Sequence, residues 1–490
     1  MTNRYLYITL LAILGFNADM MAQQGNAKEP PRLVVDITID QLRSDYLEAF
    51  APLYGESGFK RLLSQGRVFT NATFPFVPVD RASAIASIQT GTTPYYHNII
   101  GLQWINRETL RPTHCVDDAR YPGLLSSQSA SPMEMATSTL GDELKLATDG
   151  KGQVYAIAPF RDAAVLSAGH AANLALWIDH EYGNWCSSQF YAKTVPTWLR
   201  NYTRTHTQAK VGERANNDVT ELAQYCISSQ YLGQDDFTDL LCLTYAASPQ
   251  QEAIQSSSQD MTNWQTALQD TYVQIDSNLS QLIDFIDQKV GLKNVLVVIS
   301  GTGHSAQLPI DYEKYRIPTG NFYINRTANL LNMYLGAIWG QGQYVETTFH
   351  NQVFLNHKLL ETRKINLAEA QNRSQEIVAM MDGVRNVYTS LQLLTNQTLQ
   401  TEKMRQAFHP KKCGDLIIEI TPGWSIVNED TGQYELPSAS FTPFPIIIFG
   451  ANVTAERLSE PVTTDRIAPT IANAIHIRAP NACTQQPLSF

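Results

Sequence analysis

The chain has 490 residues, of which 43% are apolar and 17% are charged, and its formal net charge is −10. A chain of this length and apolar content can bury a large core, which excludes a disordered protein. The negative charge argues against sequence-independent binding of nucleic acid or of an anionic membrane surface, since both are polyanions. We therefore predict a large α/β domain with no nucleic-acid partner.

The first 22 residues have the features of a cleaved secretory signal peptide. Arg4 precedes an apolar run at 5–16, and the small residue Ala22 stands before two glutamines. No later run approaches the roughly 20 apolar residues that a transmembrane helix needs. We expect a signal peptide at 1–22, a linker at 23–32 and a folded domain at 33–490, in the periplasm or outside the cell and without a transmembrane anchor.

The cysteines give no motif for metal binding or redox chemistry. All six stand singly, and no two form a C-x-x-C pair, so a zinc ribbon or a thioredoxin-like site is not expected. In an oxidising compartment some of them can pair, and the sequence leaves the pairing open. Cys242 lies inside an apolar run, for which we predict a buried free thiol.

Short runs rich in β-branched residues predict the strands of a parallel sheet that is buried on both faces. They lie at 33–40, 154–158, 240–245, 295–300 and 445–450. Asp40 ends the first run, and the carboxyl ends of parallel strands are where α/β proteins build their sites. Asp40 has two interpretations: a metal ligand at this edge, or the N-cap of the helix that follows.

Residues 77–91 predict a loop that enters a short helix. Asp80 is a suitable N-cap, and Gly91 is a typical residue to end the helix. The start of such a helix carries partial positive charge and free N–H donors, which suits a nucleophile that attacks an anionic phosphoryl group. The side chain in the first turn is Arg81, which is not a nucleophile.

Two further helix signals are clear. Residues 131–134 read Ser-Pro-Met-Glu, a capping box with proline at the first helical position, and predict a helix start, with the helix that follows at 138–145. From Trp264 to Ile286, apolar residues recur at steps of three and four, which predicts a long amphipathic helix packed on the sheet. We assign no cofactor to its aromatic residues, because such a stripe is typical of core packing.

The segment 77–91 resembles the nucleophile loop of the alkaline phosphatase superfamily, in particular of the PafA-like phosphatases and the nucleotide pyrophosphatase/phosphodiesterases. Its ends, Val77-Pro78 and Thr90-Gly91, match that loop without a gap, and the position of the nucleophilic threonine falls on Arg81. The resemblance runs from about Leu33 to the C-terminus. It implies an α/β three-layer sandwich with a mostly parallel central sheet flanked by helices, and a lid-like insertion at roughly 306–412.

The resemblance also implies two zinc ions held by Asp and His side chains, and a phosphate site lined by donors and cations. Only Asp40 plainly keeps a zinc-ligand position, and a one-residue shift of the loop after Ser300 would align His304 with a second. The other functional positions are replaced, by Arg81, Leu102, Phe160, Asp162, Pro249, Ala253, Thr302, Gly303 and Pro443. We expect no intact catalytic or metal site and no zinc cofactor, because a single carboxylate does not hold an ion that takes about four ligands.

Three functions are consistent with this pattern. The first is a catalytically inactive phosphatase-like protein of the cell envelope that binds a protein partner or serves in assembly, since the fold positions are kept and the chemical positions are lost. The second is a divergent phosphomonoesterase or phosphodiesterase with Ser83 as nucleophile and a reduced metal site of Asp40 and His304. The third is a phosphate-binding protein at the Arg81 helix start, which Asp80 and Asp162 would oppose by charge repulsion.

Overall fold

The computed structural model describes residues 29–206, 215–248, 258–305, 316–395, 398–435 and 442–490. The expected signal peptide at 1–22 lies outside these ranges, as do Pro249 and Ala253. Among the described residues, no helix combines the length and the apolar character needed to cross a membrane.

The strands are numbered in chain order. They are β1 (Leu33–Asp40), β2 (Arg67–Thr73), β3 (Gln103–Asn106), β4 (Arg111–His114), β5 (Gly123–Leu124), β6 (Val154–Ile157), β7 (Leu174–Ile178), β8 (Trp185–Ser188), β9 (Asp239–Ala246), β10 (Val295–Gly301), β11 (Gly320–Tyr323), β12 (Val345–Phe349), β13 (Gln352–Leu355), β14 (Val384–Thr389), β15 (Leu416–Ile420), β16 (Trp424–Asn428), β17 (Gln433–Glu435), β18 (Phe444–Gly450), β19 (Glu456–Leu458) and β20 (Val462–Thr463).

The α-helices are numbered in the same way. They are α1 (Ser44–Ala49), α2 (Phe59–Gln65), α3 (Arg81–Thr90), α4 (Pro94–His97), α5 (Leu140–Ala147), α6 (Arg161–Ala168), α7 (Thr197–Thr205), α8 (Ala215–Ser229), α9 (Ser258–Lys289), α10 (Ile324–Trp339), α11 (His357–Thr362), α12 (Leu367–Val378), α13 (Ser390–Thr395), α14 (Leu399–Ala407) and α15 (Ile467–Ala474). Short 3₁₀ turns lie at Ala51–Leu53, Leu292–Asn294 and Thr464–Arg466.

A large mixed sheet forms the centre of the fold. Its strand order is β19-β2-β18-β10-β1-β9-β6-β7-β8-β5, with β20 paired to β2. The five inner strands β10, β1, β9, β6 and β7 are parallel, whereas β18 and β8 join the sheet in antiparallel orientation. Every residue of β1 is buried, as expected for a strand covered on both faces.

The helix predicted at 138–145 is present, but the helix start predicted at residues 131–134 is wrong. Residues 131–134 form turns, and the next helix, α5, begins at Leu140. A second capping box decides its start, because the Thr139 hydroxyl accepts from the backbone N–H of Asp142 and the Asp142 carboxylate accepts from the backbone N–H of Thr139. The long helix predicted from the stripe between Trp264 and Ile286 is present as α9.

A second hydrophobic core lies between residues 322 and 426 and is separate from the core of the large sheet. It is built on two small sheets, β11-β16-β17 and β12-β13-β15-β14. Hydrogen bonds join this part to the main body: Arg107 contacts Asp415 at 3.3 Å, and Lys412 Nζ donates to the Asn98 carbonyl at 2.9 Å. This second core overlaps the predicted insertion at 306–412 and continues beyond residue 412.

One buried pair fixes helix α3 on strand β1. Gln89 Nε2 donates to Asp36 Oδ2 at 2.6 Å, and both side chains are buried. Asp36 Oδ1 accepts no hydrogen bond from the described residues. Burial raises the pKa of Asp36 from 3.8 to about 6, and the bond from Gln89 offsets only part of that rise. The two elements that carry Arg81 and Asp40 are therefore joined through an acid that ionises with difficulty.

We predict that Asp36→Asn stabilises the protein at neutral pH. An acid whose pKa is raised in the folded state holds its proton more tightly there, so stability is lost as pH rises from about 4 to about 6. A shift of about two pKa units corresponds to about 3 kcal/mol. Asparagine mimics the protonated acid, so the difference in unfolding free energy between the variant and the wild type should grow by about that amount across the window.

Urea unfolding at several pH values between about 4 and 7 measures this difference. Asp236→Asn is the control, because the Asp236 side chain is almost fully exposed. A difference for Asp36→Asn that stays constant with pH would contradict the prediction.

Candidate functional site

The carboxyl edge of the parallel strands brings together most of the residues that the sequence singled out. Strand β1 ends at Asp40, and its register pairs Ile39 with Gly301, so Thr302 comes next to Asp40. Helix α3, which begins at Arg81, and helix α6, which carries Asp162 in its first turn, both start at this edge. We call Asp40, Arg81, Phe160, Asp162, Thr302 and His304 the central cluster.

The first turn of α3 is fixed by a capping box. The Asp80 carboxylate accepts from the Ser83 backbone N–H at 2.9 Å, and the Ser83 hydroxyl accepts from the Asp80 backbone N–H at 3.0 Å. The other Asp80 oxygen accepts from the Leu102 backbone N–H at 2.5 Å. Asp80 is thus the predicted N-cap, and Gly91 ends the helix in the left-handed conformation, as predicted.

Arg81 forms a bidentate ion pair with Asp162. Its Nε and Nη2 atoms donate to the two Asp162 oxygens at 2.8 and 3.0 Å. A guanidinium matches a carboxylate in this geometry, and charge-assisted pairs of this kind are the strong ones. The ring of Phe160 lies against the guanidinium, 3.8 Å from its central carbon to the ring centroid. The planar cation is therefore held by an anion at its edge and by an aromatic ring at its face.

The same guanidinium also contacts Asp40. Arg81 Nη1 lies 3.4 Å from Asp40 Oδ2, so a single cation bridges two carboxylates. Both carboxylates are nearly inaccessible, with 3% and 4% of their side chains exposed, and the arginine side chain is 20% exposed. Removing the cation would leave two buried negative charges, and breaking a buried pair in this way typically costs about 3–5 kcal/mol.

The pKa shifts follow from this arrangement. Burial alone would raise the pKa of Asp162, but the charge and the hydrogen bonds of Arg81 outweigh it, so the pKa lies below its usual value. Burial would likewise lower the pKa of Arg81, and the carboxylates of Asp162 and Asp40 reverse this and raise it. Asp162 and Arg81 are therefore both ionised at neutral pH, with the arginine as the permanent cation.

Asp40 has two further neighbours on the loop after β10. Thr302 Oγ1 donates to Asp40 Oδ1 at 2.9 Å and accepts from the Gln41 backbone N–H at 2.8 Å. His304 Nε2 lies 3.6 Å from the same Asp40 oxygen. The structure thus places His304 beside Asp40, and the one-residue shift of this loop stays a prediction.

Aromatic side chains fill the space around Gly303. Without the one-residue shift, the resemblance places a zinc-binding histidine at this position. Gly303 has φ +66°, and a Cβ atom there would lie 2.6 Å from the Phe74 ring, so no histidine is accommodated. Phe74 packs against Phe444 with ring centroids 5.8 Å apart. Pro443, at the position of the last zinc histidine, is exposed, and its carbonyl accepts from the Ser44 backbone N–H.

Ser83, the alternative nucleophile, is fully buried. Its hydroxyl donates to Asp80 Oδ1 at 2.7 Å, within the capping box. No histidine contacts this hydroxyl among its described hydrogen bonds. The geometry favours the ordinary role of a helix-capping serine over that of an activated nucleophile, which needs an adjacent base.

Two groups near the cluster carried no signal that distinguished them in the sequence. His114 lies near Asp162 and Arg161, and burial lowers its pKa. Phe74 is one of two phenylalanines just before the 77–91 loop, and only the folded chain shows that it blocks the Gly303 position. The segment around Phe74, residues 71–78, contains no charged residue.

Comparison with known proteins agrees with this architecture. A family model described as type I phosphodiesterase / nucleotide pyrophosphatase matches residues 34–441, which is most of the chain. The chain belongs to this family. The predicted membership of the alkaline phosphatase superfamily is thereby confirmed.

Two relatives within this family are similar over nearly the whole chain. Alkaline phosphatase PhoV of Synechococcus elongatus is 25% identical over 92% of this chain and 91% of its own length. Alkaline phosphatase PafA of Elizabethkingia meningoseptica is 25% identical over 98% of both chains. The crystal structure of wild-type PafA aligns with a TM-score of 0.80 over 94% of this chain and 99% of that one, at 22% identity. The predicted fold class, an α/β alkaline-phosphatase-like architecture, is confirmed.

The family's zinc chemistry does not fit the residues that the structure shows here. Within the described ranges, no group of three or more His, Cys, Asp or Glu side chains is placed to hold a metal ion. Asp40 and His304 are the available donors at the expected place, and the Arg81 guanidinium already lies against Asp40. A second cation beside this fixed charge would be repelled, so we derive no reaction step through zinc.

Proposed function

We propose that this protein is a catalytically inactive member of its family that serves as a binding or assembly module of the cell envelope. The observation that carries the proposal is the Arg81 guanidinium between Asp162 and Asp40. It stands where the resembled enzymes have their nucleophile, and it neutralises the carboxylate that they would use for a metal ion. The names of the relatives describe active phosphatases, and that activity is theirs.

Three further replacements support the loss of phosphate chemistry. Leu102 offers a hydrocarbon side chain where the resembled enzymes have an amide donor, and Phe160 takes the place of a lysine. Asp162 puts a negative charge where they have an arginine, and a phosphate there would be repelled. Among the described residues, the centre offers neither an activated nucleophile nor a set of aligned donors that would stabilise developing negative charge.

A role in binding is supported by what has replaced those parts. Leu102 and Phe160 are partly buried and pack against the main core, so the centre has an apolar edge. Such an edge suits an apolar side chain of a protein partner. The signal-like sequence at 1–22 suggests that the partner is a protein of the cell envelope, reached after export to the periplasm or beyond.

The second candidate remains a divergent phosphomonoesterase or phosphodiesterase. The contact between His304 and Asp40 favours it, since two potential metal ligands meet there. Ser83 would have to leave its capping box to act as the nucleophile.

We predict no turnover of p-nitrophenyl phosphate or bis-p-nitrophenyl phosphate above background, with or without added zinc. The reason is the absence of an activated nucleophile beside a bound cation. Steady-state assays of the wild type, Ser83→Ala and Asp40→Asn should give the same background rate. Turnover that disappears in Ser83→Ala or in Asp40→Asn would replace this proposal with the divergent hydrolase.

We also predict that Leu102→Asn weakens capture of an envelope partner. This change restores a polar amide at the apolar edge, and burying an unpaired amide against an apolar partner costs about 1–3 kcal/mol. The measurement is quantitative pull-down from envelope extracts with the exported protein as bait. Leu146→Asn is the matched control, because Leu146 lies on α5 and is 69% exposed.

The proposed binding role predicts two results in this pull-down experiment. Wild-type bait should enrich a specific protein, and Leu146→Asn should enrich it equally. Equal recovery with Leu102→Asn, or no specific protein with the wild type, would contradict a binding role for this edge.

A further inference from the structure

The central cluster contains a cation that belongs to the chain itself. Asp40 and Asp162 are both nearly inaccessible, and the group that bridges them is the Arg81 guanidinium. Two buried carboxylates with no cation between them are strongly unfavourable, because each has lost its hydration. The fold therefore requires a positive charge at this place, whatever supplies it.

We propose that Arg81 is a built-in replacement for a bound cation, and that its truncation opens a binding site for a small planar cation of the guanidinium class. The protein thereby keeps its central cluster folded without any bound metal. This inference rests on the same guanidinium as the proposed function, but its test measures stability instead of turnover or partner capture, so the two can fail separately.

The shape of the cluster selects guanidinium over a spherical ion. Two oxygens of Asp162 lie along one edge of the cation, and one oxygen of Asp40 lies at another edge. The Phe160 ring covers a face at 3.8 Å. Carboxylates at two edges and an aromatic ring against the face match a planar guanidinium, whereas a metal ion needs ligands that converge on a point.

The neighbouring Arg161 is paired with a carboxylate that is not buried. Arg161 is also the first residue of its helix, α6, and is also paired, with Asp117 at 2.7 Å. Asp117, however, is 44% exposed at its side chain, so water can replace the arginine. Truncation of Arg161 removes a comparable side chain from the same region without stranding a buried carboxylate, which makes it the matched control.

The experiment is chemical rescue of the full mature protein carrying Arg81→Ala. Thermal unfolding is followed with guanidinium or methylguanidinium at concentrations far below those that denature, in EDTA and at constant ionic strength. A ligand of this size binds with Kd on the order of 1 mM at best. At about ten times Kd the unfolding equilibrium should shift by about tenfold toward the folded state.

Four results are expected. Arg81→Ala is less stable than the wild type and is rescued by guanidinium, and methylguanidinium rescues it at least as well because it also fills the space of the lost side chain. Arg161→Ala gains nothing from either compound. The double variant Arg81→Ala/Asp162→Asn is more stable than the single variant, because one stranded charge is gone, and shows weaker rescue. Wild-type Tm is the same in EDTA and in zinc.

Other outcomes would overturn the inference. These are equal effects of guanidinium on Arg81→Ala and Arg161→Ala, or stoichiometric zinc binding by Arg81→Ala with no response to guanidinium. If Arg81→Ala does not yield folded protein, the double variant decides: a soluble double variant supports charge compensation by Arg81, and an equally insoluble one contradicts it.

Discussion

The bridge from Arg81 to Asp162 and Asp40 is the interaction on which the centre of this protein depends. Both carboxylates lie at the carboxyl edge of a parallel sheet, where an α/β fold exposes strand ends and helix starts to a common space. Because both are buried, their charges require compensation at short range. An arginine at the first position of α3 supplies it, and the rest of the cluster is arranged around that side chain.

The surrounding packing is consistent with a centre that excludes rather than binds ions. Phe160 stacks on the guanidinium, and Phe74 and Phe444 fill the region of Gly303. Phe74 and Phe444 take the space that a side chain at position 303 would need. The sequence resembles the family at strand ends, glycines and core positions, which maintain the fold and do not take part in chemistry.

Much of the fold was predictable because its signals are local. The fully buried β1 run, the Asp80 cap and the terminal Gly91 all depend on residues within a few positions of each other. The helix predicted at 131–134 failed because a competing capping box at Thr139 lies just downstream. The boundary of the insertion was harder to predict from the sequence. The second hydrophobic core joins residues from Phe322 to Ile426 and depends on contacts between distant segments.

The sequence predicted which residues of the site are replaced, but it did not predict how the replacing residues contact one another. The sequence showed that Arg81 and Asp162 stand at altered positions, yet their pairing joins residues 81 positions apart, and a single sequence carries no signal for it. The sequence left open whether a one-residue shift puts His304 at a zinc-ligand position. Only the path of the loop after β10 places His304 beside Asp40. The blocking role of Phe74 also required the tertiary packing, because its partner Phe444 comes from the other end of the chain.

The central claim is that an arginine has taken the place of the family's metal at Asp40. The most direct test is the metal content of the purified protein after expression in zinc-rich medium, measured by inductively coupled plasma mass spectrometry. The account predicts zinc far below one ion per chain, and the same trace level in Asp40→Asn. Near-stoichiometric zinc in the wild type that is lost in Asp40→Asn would contradict it.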